Sequence, residues 1–236
     1  MHLRLFTLFT VLCTLFAILF TTTAALKVVI AGGSGPLGKL AISSLLSPDC
    51  PVKVEKLTCL SRNAFLAQTP SRVSSAFGHL GQSFVERFGP KLQVRDWDGG
   101  DLLDIVGQDW VGWESVLKDA DVVVNLTGGF TEQREKAQAR LSEAVRYEET
   151  ARGGKRLRMI VVSPTDEALP LLSPVAQAAK RERLLRCEEV AISGGSEVEC
   201  LRFGLVVRDE KLVEGNDNRV SASEYTTQLC KKIAGL

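Results

Sequence analysis

Two rhythms of apolar residues alternate along the chain. Short runs rich in valine, isoleucine and leucine stand at 28–30, 56–60, 92–94, 121–126, 157–162 and 198–203, each bounded by turn-forming residues, and these lengths suit buried strands. Between them, apolar positions recur at three- and four-residue intervals. Leu40, Ile42, Leu45 and Leu46 mark one helix, and residues around 77–88 predict a second after interruptions at Pro70 and Gly78. A short helix over 113–118 precedes the fourth run. Ala137, Leu141, Ala144, Val145 and Tyr147 mark a long helix over 131–151, ended by Gly153-Gly154. Another helix runs from about 173 to 193, and Ser221 can cap a last one reaching Gly235. Strand-helix alternation of this kind predicts an α/β fold with a doubly wound, mostly parallel sheet in a single domain.

The first strand leads directly into Gly32-Gly33-Ser34-Gly35-Pro36-Leu37-Gly38 and then into a helix. Strand, glycine-rich turn and helix in that order form the phosphate-binding unit of a Rossmann fold, in which bare backbone N–H groups and the positive end of the helix face a diphosphate. One glycine permits a turn with positive φ, one lets backbone approach the phosphates, and one lets helix pack on strand. Pro36, lacking an N–H, suits the first helical turn.

The spacing Gly32-x-x-Gly35-x-x-Gly38, with Asn125-Leu126-Thr127-Gly128 and the late strand Leu201-Arg202-Phe203-Gly204, resembles the atypical and extended short-chain dehydrogenases/reductases, including the NAD-dependent epimerase/dehydratase group. That resemblance implies a nicotinamide dinucleotide as partner and assigns its contacts to Gly32 through Gly38, Arg62, Asp96, Thr127, Gly128 and Lys180. Arg62 follows the second strand, where such folds read the adenosine ribose. A guanidinium can pair with a 2′-phosphate, so NADP is expected ahead of NAD. By the resemblance Asp96 borders the adenine, Asn125 ties neighbouring strands, Ser163 meets a substrate carbonyl and Lys180 holds the nicotinamide ribose. Trp97 is expected to pack in the core.

One element of that pattern is missing. The family's tyrosine stands four residues before its lysine, on one helix face, and passes the proton that accompanies hydride. Here Ala176 occupies its place, and the two tyrosines, Tyr147 and Tyr225, fall on other helices. Ser173, Asp166 and Glu167 are near enough in sequence to be weighed as substitute donors. Two functions are therefore expected in competition: a reductase-like enzyme acting on a small organic substrate with a nonstandard proton donor, or a cofactor-binding scaffold, assembly factor or redox sensor without turnover. No extended carboxy-terminal substrate region is visible, which argues against a sugar-nucleotide epimerase.

Composition changes this picture only at the edges. A formal charge of +1 offers no reason to propose nucleic acid or an anionic membrane as partner. The uncharged apolar run from Leu5 to Phe20, after His2 and Arg4 and before small residues up to Ala25, predicts a secretory signal over 1–25 ahead of a nucleotide-binding domain over 26–236. A signal anchor, which would make the membrane a partner, and a plastid route through the ER are the alternatives. Past that leader, Cys50, Cys59, Cys187, Cys200 and Cys230 form neither a CxxC pair nor a metal-ligand grouping, so no disulfide framework is expected. Cys59 and Cys200 read as small buried hydrophobes. The charges of the 131–151 helix, Glu148 and Arg152 among them, read as a solvated face.

Overall fold

The computed structural model describes residues 25–62, 64, 80–97, 116–127, 131–165, 174–194, 197–207 and 219–235. The leader, Gly128 and the three candidate donors Ser173, Asp166 and Glu167 lie outside them.

Alternating burial along β1 (Leu26–Ala31) explains how both faces of the sheet are covered. Val28 and Ile30 enter one apolar cluster, with Ala41, Ile42 and Leu45 of α1 (Pro36–Leu45) and Tyr225, Leu229 and Ile233 of the last helix. Val29 and Ala31 enter another, with Leu141, Ala144 and Val145 of the long central helix. The remaining strands of the sheet are β2 (Val54–Ser61), β3 (Leu92–Asp96), β4 (Val122–Asn125), β5 (Arg158–Pro164) and β6 (Val198–Phe203). They pair in the order β3-β2-β1-β4-β5-β6, all parallel. A sheet that winds outward in both directions from β1 and β4 splits the chain connections at that junction, and the crevice there receives ligands in open α/β sheets.

The helices between strands are α2 (Gln82–Phe88), α3 (Glu132–Ala151), α4 (Pro174–Gly194) and α5 (Ala222–Ala234). Thr131 and Ser221 cap α3 and α5 with their side chains, and Gly235 ends α5 in the left-handed conformation. The described part of α2 is shorter than the periodicity over 77–88 suggests, because Gly81 precedes it at φ 89 and no helical residue adopts that angle. One feature had no sequence expectation: β7 (Leu205–Val207) and β8 (Arg219–Ser221) pair as a separate two-stranded parallel sheet.

The charged face expected on α3 needs a correction at its end. Glu148 and Glu149 are buried, and Arg152 just beyond the helix is largely so. The Arg152 guanidinium donates to Glu148 Oε1 at 2.6 Å and to the carbonyls of Leu117, Lys118 and Ala120, while Glu149 accepts the Leu157 N–H at 2.9 Å. These ions fasten α3 to the chain entering β4 and β5.

Candidate functional site

The glycine turn sits at the carboxyl end of β1, against the end of β4. Gly32 adopts φ +76, and a Cβ there would lie 3.0 Å from the Leu126 carbonyl carbon and 3.1 Å from the Thr127 nitrogen. A Cβ on Gly33 would meet Cys59 Sγ at 2.6 Å, and one on Gly38 would overlap the Gly33 backbone. Those three glycines are demanded by the protein's own packing. Gly35 differs: it caps α1 at φ −74, an angle any residue adopts, and among the described residues its Cβ would find only Gly32 O, at 3.6 Å. Among the described residues no side chain caps α1, and Pro36 opens it, so the N–H groups of Leu37 and Gly38 stand at the helix start without a capping side chain from them. Burial pushes the Cys59 thiol beneath the turn up to about 12, outweighing its hydrogen bond with the Gly33 backbone, so it is an inert, neutral filler.

Just ahead of the residues expected to meet the adenosine half, Ser61 closes β2 and its hydroxyl donates to Ser34 Oγ at 3.2 Å, tying the turn to the next strand. Arg62 follows, exposed to solvent. Asp96 ends β3 inside the strand, and its carboxylate accepts the Ala64 N–H at 2.6 Å, which gives it a structural duty at the start of the segment after β2. Trp97 is buried among Leu60, Val116, Leu117 and Val123, the core role expected of it.

Asn125 is buried and binds differently from expectation. Its amide donates to Gln138 of α3 rather than to a neighbouring strand, and its Oδ1 accepts both the N–H and the hydroxyl of Thr127, at 3.0 and 2.7 Å. Thr127 thus lies at the crevice with its donors engaged within the protein.

Ser163 stands near the end of β5, 4% exposed, and its hydroxyl makes no hydrogen bond of good geometry to a described residue. It shares a cavity of about 10 Å³, room for one water, with Asn125, Gln138, Leu184, Cys187 and Glu188. Glu188 is buried on α4, and the Arg202 guanidinium grips its carboxylate from β6 through both Nε, at 3.0 Å, and Nη2. Burial would raise the Glu188 pKa, but Arg202 and the nearby Ser163 hydroxyl outweigh it and hold the carboxyl below the ordinary range. Lys180 lies half-buried on α4, one turn before Leu184 and two before Glu188, while Ala176 lies a turn earlier, so α4 carries no phenol where the family's would stand. Tyr225 is fully buried, its ring edge-on to Phe203 at 4.9 Å and its hydroxyl 3.4 Å from the Leu37 carbonyl, and desolvation raises its pKa further. Tyr147 is exposed on α3.

The Glu188–Arg202 pair was not readable from sequence. Arg202 was visible in its strand motif, but its partner lies on a different element, and only the registration of β6 against β5, with Ser163 opposite Arg202, brings them together. Because Glu188 is held low when folded, its contribution to stability is present above the unfolded carboxyl value and lost as pH falls through the folded one. Arg202→Met should remove about 1–3 kcal/mol at pH 7, discounted from a fully buried pair because Arg202 is half exposed. Without the guanidinium, burial raises Glu188 instead, so the deficit should narrow in denaturant melts between pH 7 and 5. A deficit that stays constant across that range excludes Glu188 as its source.

No family model matches the sequence, and no curated protein matches it. Among solved structures, the ketoreductase from the first module of phoslactomycin biosynthesis in Streptomyces sp. HK803 superposes at TM-score 0.52 with 12% identity, over 89% of this chain and 50% of that one. A Bacillus halodurans protein described as an NAD-dependent epimerase/dehydratase gives TM-score 0.48 and 14% identity, over 89% of this chain and 86% of that one. The Citrobacter sp. triphenylmethane reductase complexed with NADP(H) gives 0.45 and 16%, over 77% and 50%. The chain spans about half the length of the ketoreductase and the reductase. Strand order, the glycine turn after β1 and the ketoreductase likeness agree: the chain has a Rossmann-type α/β fold with an open parallel sheet.

Proposed function

We propose that this protein binds a nicotinamide dinucleotide, NADP(H) before NAD(H), at the Gly32–Gly38 turn, and that it does so with little or no dehydrogenase turnover. One observation carries the binding half. Gly35 is a glycine that the fold does not need, at the start of a helix with no capping side chain, so the demand for a bare backbone there comes from something outside the protein. In this reading Leu37 and Gly38 supply N–H donors to the diphosphate, Pro36 presets the first helical turn, and Ser34 shapes the loop through Ser61. Arg62 pairs with the 2′-phosphate, Asp96 and Thr127 border the cofactor, Gly128 is a further expected contact from the sequence, and Lys180 reaches the nicotinamide ribose.

The catalytic half is weak for a physical reason. A bound nicotinamide would supply hydride, but carbonyl reduction also needs a proton at the substrate oxygen. Ala176 has none to give, Tyr225 is sealed in the core, and the Ser163 hydroxyl is buried beside a carboxylate held ionised. That arrangement favours a cofactor-dependent scaffold, assembly factor or redox sensor over a reductase of a small substrate. The expected leader would deliver it to the secretory pathway.

Calorimetric titration tests this reading. NADPH should bind roughly tenfold more tightly than NADH, about 1.4 kcal/mol for a solvent-exposed phosphate-guanidinium pair. Arg62→Ala should erase the difference while leaving NADH affinity unchanged, and a panel of aldehydes and ketones should elicit no NADPH oxidation. Equal affinities for the two coenzymes would remove Arg62 from the site, and brisk turnover would overturn the silent reading.

A further inference from the structure

Cys50 and Cys230 are 180 residues apart in sequence, yet their sulfurs lie 3.7 Å from each other. We propose that they form a redox site: a dithiol that a small disulfide oxidant of the glutathione class closes into an intramolecular disulfide, clamping α5 to the chain leaving α1. The two thiols differ in ways this chemistry needs. Cys50 is half-buried in the irregular chain between α1 and β2, where its N–H bonds the Ser47 carbonyl and no regular element restrains its side chain. Cys230 is buried on the inner face of α5, with the Ser44 hydroxyl 3.4 Å from its sulfur.

Cys50, as thiolate, attacks one sulfur of the oxidant and releases the first thiol, leaving a mixed disulfide. The Cys230 sulfur then attacks Cys50 and releases the second. The protein gives up two electrons and two protons, and the oxidant is reduced to two thiols. Burial pushes the Cys230 thiol up to about 11, and Ser44, placed to donate to the developing thiolate, works against that. Closing the contact to a bond asks for a movement of less than about 2 Å, which the irregular segment carrying Cys50 can supply. The clamp would reinforce contacts already present: Tyr225 of α5 reaches the Leu37 carbonyl of α1, and Arg158 holds the carbonyls of Lys232 and Ile233 at the far end of α5. No nucleotide is required, so the proposal stands apart from the cofactor reading.

The test is equilibration of the purified full chain with excess oxidised glutathione, followed by alkylation in denaturant and peptide mapping. The expected result is a linked Cys50–Cys230 peptide, two fewer alkylatable thiols than in the reduced protein, and a thermal midpoint raised by roughly 5–10 °C and reversed by reductant. Cys50→Ser and Cys230→Ser should each abolish both the link and the shift. A protein left with glutathione on Cys50 and Cys230 still alkylatable, or an oxidised protein melting no higher than the reduced one, overturns the proposal.

Discussion

Arg152→Ala should cost about 3–5 kcal/mol of folding stability, the range for removing one partner of a buried ion pair. The guanidinium is only 13% exposed and its partner Glu148 only 4%, so water cannot replace what is lost. Three backbone carbonyls lose a donor as well, those of Leu117, Lys118 and Ala120, at the turn that feeds β4. At 2–4 °C per kcal/mol for a chain of this size, the midpoint should fall by roughly 10 °C or more. Arg152→Lys should recover only part of it, because an ammonium can face Glu148 but cannot span the carbonyls as a planar fork does. Dinucleotide affinity measured well below the midpoint should change little, since Arg152 lies away from the glycine turn. A variant that melts within about 2 °C of the wild type would show that the carbonyl clamp contributes nothing.

That prediction marks where the chain could and could not be read in advance. Glu148 and Arg152 are four residues apart, the same spacing that ornaments solvated helices, and nothing local says whether a neighbouring segment will cover them. Burial here is decided by the 117–120 turn, 32 to 35 residues upstream of Arg152. Asn125 was recognisable as architectural, but its partner Gln138 lies on α3, and Ser163 was placed at a strand end without sign of the Glu188 carboxylate beside it. The Cys50–Cys230 contact is the extreme case, joining residues 180 apart in sequence. What was legible obeys local rules: the β1 run, the glycine turn and Ser221 as a cap all depend on a few consecutive residues. The fold class followed from those units in sequence order. The chemistry at the ends of β4, β5 and β6 did not, because it depends on which strands become neighbours.

The largest functional effect should come from Gly35→Asp, a substitution the fold ought to welcome. Aspartate is among the preferred residues at a helix start: its carboxylate can accept from the N–H groups of the next turn and complements the helix dipole, together about 0.5–1 kcal/mol in favour of folding. The backbone already has an extended conformation there, φ −74 and ψ 172, and the nearest atom to an added Cβ would be Gly32 O at 3.6 Å. Thermal stability should therefore be equal or higher. For a diphosphate the same change is costly twice over, since the carboxylate occupies the donors and sets a negative charge against the phosphates. Two like charges about 4 Å apart repel by about 4 kcal/mol at an effective dielectric near 20. Allowing for screening by salt, NADPH affinity should drop by at least about 100-fold, or 2.7 kcal/mol. Gly38 offers the opposite case, because a Cβ there would lie 2.5 Å from the Gly33 carbonyl carbon and nearer still to its oxygen and Cα, so loss of binding at that position would report only a damaged turn. Gly35→Asp separates ligand from fold. If it melts as high as the wild type and binds NADPH equally well, the turn does not hold the diphosphate.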